Sequence, residues 1–280
     1  MNGFGRGIFS NTPTVVKNLL IINILIFLAG KTLLLVNNFD INEWMGLHYI
    51  QAQDFNPIQL VTYMFLHDLD GFSHIFFNMF AVWMFGRILE QVWGPKRFLI
   101  FYMVCGIGAG IIQMIVVHIE ILPALKYFES LIHNPTVIGY TDFLHSAGNL
   151  FSNTEKKDFL TALNEWQVNP NNLNAKSQAV EIVADIFEKF KNGRSTVGAS
   201  GAVFGILLAF GMLFPNTQLM LLFPPIPIKA KYLVILYGVA ELIMGITGTM
   251  GNVAHFAHLG GMLFGFILIK IWKKNTGTFY

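Results

Sequence analysis

Six apolar runs, each near the length of one bilayer crossing, constrain this chain more than any other feature. They lie at about 15–36, 72–89, 98–118, 199–214, 232–248 and 255–272. A hydrocarbon core about 30 Å thick takes roughly 20 apolar residues as a helix. Backbone polar groups find no water there, so a run of this kind must satisfy them internally. Composition agrees, since 54% of the 280 residues are hydrophobic and only 12% are charged. That charged share is about half the roughly 25% of a soluble domain, too little to face water on all sides. The expected fold is all-α, a polytopic membrane protein with a six-helix bundle. Several runs are short or carry polar residues, which suits a compact bundle around a polar site. A net charge of +2 offers no nucleic-acid surface, and membrane lipid is the implied surrounding.

The placement of cations gives an orientation. Arg6 and Lys17 lie before and at the start of the first run, and Arg87, Lys96 and Arg97 lie at the end of the second and before the third. Lys229 and Lys231 part the fourth from the fifth, and Lys270, Lys273 and Lys274 close the chain at the end of the last. From Thr32 to Gly86 there is no Lys or Arg, but Asp40, Glu43, Asp54, Asp68 and Asp70 are there. Positive residues stay in the cytoplasm, so an even number of crossings with both termini cytoplasmic fits every short basic cluster. Lys31 is the exception, at the outer end of the first run, where its stem allows it to snorkel. The first run has no convincing small-residue cleavage site after it and reads as a retained span. The expected location is a bacterial inner (plasma) membrane, as a multi-pass protein.

Between the third and fourth runs, residues 125–194 are of another kind. They are polar, and Val180, Val183, Ala184, Phe187 and Phe190 recur at helical spacing before a stop at Gly193. This predicts an extramembrane insertion of a few amphipathic helices, on the outer side. The chain thus divides into membrane bundle over 1–124, insertion over 125–194 and membrane bundle over 195–280. The single cysteine, Cys105, sits in an apolar stretch without neighbouring ligands and reads as a packing residue.

Polar and ionisable groups inside a membrane carry a cost and need a reason. Gly198-Ala199-Ser200-Gly201 opens the short fourth run, so a loop must dip inward to reach it. A serine at a helix N-terminus lies beside unpaired N–H groups and the positive dipole end, both of which stabilise an oxyanion. His255-Phe256-Ala257-His258 opens the sixth run, followed by Gly261 and Gly265; Gly201 and Gly205 form a matching pair. Facing glycines let two helices approach closely, which would bring an imidazole within about 3 Å of a serine hydroxyl, the reach of a general base. Thr62, His67, His74 and Asn78 gather at the start of the second run, with His74 and Asn78 on one helix face. Taken singly, each cluster is also compatible with interhelical packing or hydrogen bonding.

Together the Gly198-x-Ser200-Gly201, His258-x-x-Gly261-x-x-x-Gly265 and His74-x-x-x-Asn78 segments, with Glu90 and Gly94, resemble the rhomboid proteases in order and placement. The resemblance covers all six runs. It implies an intramembrane serine endopeptidase that cuts client proteins in or near their transmembrane segments, through an acyl-enzyme and without a cofactor or metal. Ser200 would be the nucleophile and His258 the base, a dyad with no acidic third member. His74, Asn78 and the Ser200 amide would bind the oxyanion, Gly198 would shape the turn, and Phe204 would stack on the base. The chain departs from some members in having Ile58-Gln59 where a Trp-Arg pair ends the first outer loop. The spacer Asp68 to Ser73 and the insertion before the fourth run are also longer. His255, one turn before His258, reads as a hydrogen-bonding residue of the cavity. Glu241, midway along the fifth run, receives no role from the resemblance, and a protonated or paired structural role is expected. Two rivals remain: a catalytically inactive relative that binds clients, and an ion or metal transporter using His67, His74, His255 and His258. No carboxylate is spaced with those histidines along the sequence.

Overall fold

The structure, a computed structural model, describes residues 12–220, 225–249 and 254–276. Arg6, used above for orientation, lies outside them. In chain order the helices begin with α1 (Thr14–Asn37), α2 (Ile41–Met45), α3 (Gln59–Thr62) and α4 (Ser73–Ala81). A π-helical turn over Val82–Gly86 joins α4 to α5 (Arg87–His133), which breaks from helical geometry at Gly94 with φ 78°. Then come α6 (Val137–Ala147), α7 (Asn153–Val168), α8 (Leu173–Asn192) and α9 (Ser200–Leu213). Strands β1 (Gln218–Met220) and β2 (Pro227–Lys229) lead to α10 (Ala230–Thr247) and α11 (His255–Thr276). The protein is thus mostly helical. The all-α expectation needs one amendment, an antiparallel pair of strands in register Gln218 to Lys229 and Met220 to Pro227.

Four helical stretches are long and apolar enough to cross a membrane: Thr14–Asn37, Ser73–His133, Ala230–Thr247 and His255–Lys274. Two of the expected runs, at 72–89 and 98–118, fall within the single stretch Ser73–His133. The fourth run forms only the 14 residues of α9, about 21 Å of helix and short of a bilayer core. Large apolar side chains stay exposed along the spans, among them Leu25 and Leu28 on α1 and Ile235, Leu242 and Ile246 on α10. Contiguous apolar surface of this extent does not face water in a monomeric soluble protein. It faces lipid, and the protein is a membrane protein.

Two compact units divide the chain. The first takes residues 1–47, 56–115 and 196–280, and the second 48–55 and 116–195. In the first unit α9 is the innermost helix, with most of its residues buried and α11, α10 and α4 packed on it. Its closest approach is to α11, where a Cβ on Gly261 would overlap the carbonyl oxygen of Gly201. Glycine is required there because the two backbones touch. Glu90 holds the start of the first span. Its carboxylate accepts from the Val15 and Val16 amides at 2.9 and 2.8 Å, capping α1 from 75 residues away. The Lys31 ammonium donates to the Leu69 carbonyl at 2.6 Å.

The second unit packs α6, α7 and α8 around Phe128, Tyr140, Phe143, Phe159, Trp166 and Ile186. Each of those helices starts with its own side-chain cap, from Thr136, Ser152 and Asn172 respectively. At α7 the cap is reciprocal, Ser152 accepting from the Glu155 amide and Glu155 from the Ser152 amide.

Candidate active site

Ser200 stands at the first position of α9, and the segment before it is held by backbone pairing. Leu47 and Thr196 exchange two hydrogen bonds of 2.9 Å each, and the Gly198 amide donates to the Tyr63 carbonyl. Gly198 adopts φ 133°, which an L side chain rarely takes, and a Cβ there would lie 3.1 Å from the His74 ring. The turn therefore needs glycine both for its backbone angle and for the space beside His74. The first intrahelical donation on α9 runs from Val203 to the Ala199 carbonyl. The amides of Ser200, Gly201 and Ala202 precede it and belong to the orphan donors of the helix start.

His258, on the first turn of α11, brings Nε2 to 2.8 Å from the Ser200 hydroxyl. Phe204, one turn after Ser200, lies flat on the imidazole, with ring centroids 4.2 Å apart and planes 6° from parallel. Two residues 58 apart in sequence thus meet because α9 and α11 approach at glycines. His258 is 8% exposed, and Ser200 is half-buried, so the hydroxyl is reachable.

His74 and Asn78 lie on α4, which packs against α9. The Asp68 amide donates to His74 Nδ1 at 3.3 Å, so Nε2 carries the proton. That nitrogen is on the side of Gly198, where an added Cβ would sit 3.1 Å from it and 3.6 Å from the Ser200 hydroxyl oxygen. Asn78 is buried. Thr62 is not turned to the site, since its hydroxyl donates to the Met45 carbonyl at 2.7 Å. His67 packs edge-on to His74 with centroids 5.2 Å apart. Burial, and then the neighbouring His74, push the His67 imidazole down to about 3, so it is neutral at any working pH.

Glu241, expected from the sequence in a protonated or paired structural role, is paired with two histidines. Its Oε2 lies 2.7 Å from His255 Nδ1 and 2.9 Å from His258 Nδ1, and the residue is 6% exposed. The first contact is a hydrogen bond; the second is an ion-pair contact outside hydrogen-bond angles. The signal was present as a carboxylate in the middle of an apolar run, a functional candidate by default. His255 also reaches the Thr249 carbonyl at 3.0 Å through Nε2. Among the described residues, Glu241, His255 and His258 form the one group whose ligand atoms, all within 4.8 Å of one another, admit a cation. The four-histidine set of the transporter reading is not assembled, and a carboxylate does join two of its members.

Comparison with known proteins bears on this arrangement. The family model described as the Rhomboid domain matches residues 54–122 and 177–275, leaving 123–176 outside it. A mitochondrial protein of Saccharomyces cerevisiae, Rhomboid protein 1, is 38% identical over 84 residues, 29% of this chain and 24% of that protein. An uncharacterised mitochondrial rhomboid protein of Schizosaccharomyces pombe is 25% identical over 261 residues, 89% of this chain and 61% of that protein. The chain therefore spans about a quarter and about three fifths of the lengths of these relatives. Both carry mitochondrial names, and neither speaks for the bacterial membrane expected from the sequence.

Proposed function

Because this chain belongs to the rhomboid family, we propose that it is an intramembrane serine endopeptidase working through Ser200 and His258. Members of the family are in general serine proteases of the membrane. The observation that carries the reading is the 2.8 Å approach of His258 Nε2 to the Ser200 hydroxyl in a membrane bundle.

The mechanism follows from the donors and acceptors at hand. Nε2 of His258 takes the hydroxyl proton as Ser200 Oγ attacks the scissile carbonyl carbon. The carbonyl π electrons move onto oxygen, and the Ser200 amide, the Nε2–H of His74 and the amide of Asn78 hold that oxyanion. Collapse of the tetrahedral adduct breaks the C–N bond, and His258 returns its proton to the leaving amine. Water, deprotonated by the same imidazole, then attacks the acyl-enzyme and frees Ser200. Phe204 keeps the imidazole in plane through both halves of the cycle. No cofactor enters these steps.

Six crossings follow if Ser73–His133 is parted at Gly94 and α9 is a short inner crossing shielded by its neighbours. Both termini then lie on one side, the cytoplasmic or matrix-like side, with residues 125–194 as an insertion opposite. Clients are membrane proteins cut in or near a transmembrane segment. The test is cleavage of a single-span substrate by purified protein in lipid, together with labelling by a serine-directed fluorophosphonate. Ser200→Ala and His258→Ala are expected to abolish cleavage in folded protein. Wild-type cleavage surviving in Ser200→Ala removes the assignment, and activity lost in EDTA but untouched by the fluorophosphonate returns the metal reading.

A further inference from the structure

A Ser-His pair leaves one question of proton chemistry open: what holds the imidazole in the tautomer that can accept. Nε2 must present its lone pair to the Ser200 hydroxyl, so the ring proton must sit on Nδ1. That nitrogen lies 2.9 Å from Glu241 Oε2. We propose that Glu241, from α10, is a positioning residue for His258, holding Nδ1–H and stabilising the imidazolium that forms when Ser200 attacks. The proposal rests on the Ser200–His258 reading and adds an acidic third member to it.

The surroundings of Glu241 favour this over a purely structural carboxylate. Both ring nitrogens of His255 face acceptors, Nδ1 the same Oε2 at 2.7 Å and Nε2 the Thr249 carbonyl at 3.0 Å. Held at both nitrogens, His255 fixes this oxygen of Glu241 between the two imidazoles. His255 thus supports the acid, the acid faces the base, and the base faces the nucleophile. The shared oxygen lies 2.7 Å from His255 Nδ1 and 2.9 Å from His258 Nδ1, the second contact outside hydrogen-bond angles. Such alignment commonly tightens only when substrate is bound. The three groups come from α10, α11 and α9, so helix packing, and not local sequence, assembles them.

The experiment separates position from fold by counting sites. Fluorophosphonate titration gives the fraction of protein with a reactive serine, and turnover is then expressed per titrated site. In Glu241→Gln the titrated fraction is expected to stay near wild type. Turnover per site falls on the order of 10⁴-fold, with KM little changed, as loss of a base-orienting acid does in serine hydrolases. A merely structural role lowers the titrated fraction and leaves turnover per site unchanged, and that result overturns the proposal. A second measurement needs no variant. In wild-type protein with ¹⁵N-labelled histidine, His258, identified by the signal missing from His258→Ala, is expected as the Nδ1–H tautomer at neutral pH. An Nε2–H tautomer overturns the proposal even if Glu241→Gln cannot be prepared folded. If wild-type protein neither cleaves nor labels, the protease reading itself fails. If it does both and Glu241→Gln matches it, only the role of Glu241 falls.

Discussion

The two units of this protein are both helical, yet they put charge in opposite places. In the second unit Lys189 pairs with Glu155 and Asp185 at the surface, and the buried Lys191 reaches out to the more exposed Glu188. In the first, Glu241 pairs with His255 and His258 in the interior. The helix starts differ in the same way. α6, α7 and α8 each bring a side-chain cap of their own, whereas α1, α4, α9 and α10 have none, and α1 borrows Glu90 from α5. A short helix in water competes with solvent for its terminal N–H groups and gains from a local cap. A helix in lipid is held by its unbroken backbone bonding, and its free end can be put to use. At α9 that free end is the place where Ser200 sits.

This contrast predicts that substitutions divide by unit into losses of chemistry and losses of stability. The largest effect is chemical: Ser200→Ala or His258→Ala lowers turnover of a transmembrane substrate on the order of 10⁶-fold, with thermal unfolding unchanged. A large shift in unfolding would break the division. Next comes Phe159→Ala in the second unit, which removes a fully buried ring and costs about 3–5 kcal/mol of that unit's stability. Denaturant unfolding followed by Trp166 fluorescence measures it. Asn78→Ala removes one oxyanion donor and lowers turnover by roughly 10–1000-fold with little change in KM; an equal rise in KM would make Asn78 a binding residue instead.

Smaller effects test the surface of the second unit. Ser152→Ala deletes the cap of α7 and is expected to cost about 0.5–2 kcal/mol, read from the same unfolding curves. Glu155 is held down to about 2, first by its hydrogen bond to Lys189 and then by Ser152. A lowered carboxylate pKa adds stability above the unfolded value near 4.5, lost as pH falls from there through about 2. Unfolding between pH 6 and 2 should therefore show a small acid-side loss in wild type that is absent in Glu155→Gln. The effect is small because the pair is largely exposed to solvent and screened.

Much of the site was legible in the chain's own pattern. Ser200, His258, His74 and Asn78 stood out as polar groups at the ends of apolar runs, and the structure brings Ser200 within reach of His258 and His74 beside the Gly198 turn. Glu90 and Gly94 were noticed only through the resemblance; what they do, a distant cap and a break in a long helix, emerged from the fold. Thr62 was read with the site but serves the Met45 carbonyl. Lys31 was expected to snorkel, and its partner, the Leu69 carbonyl, was not named by the sequence. Long flexible side chains and hydroxyls find partners that no spacing rule encodes.

Sequence alone determined the solvent. Runs of apolar residues with few charges can only be stable in lipid, and the glycines opposite Ser200 and His258 announce two helices meeting closely. That information is local or periodic, so it survives reading one residue at a time. Tertiary structure decided the rotation of α10 about its axis, which turns Glu241 toward two imidazoles rather than toward lipid or a neighbouring backbone. Such a rotation depends on how several side-chain surfaces fit together, and no single stretch of chain carries it.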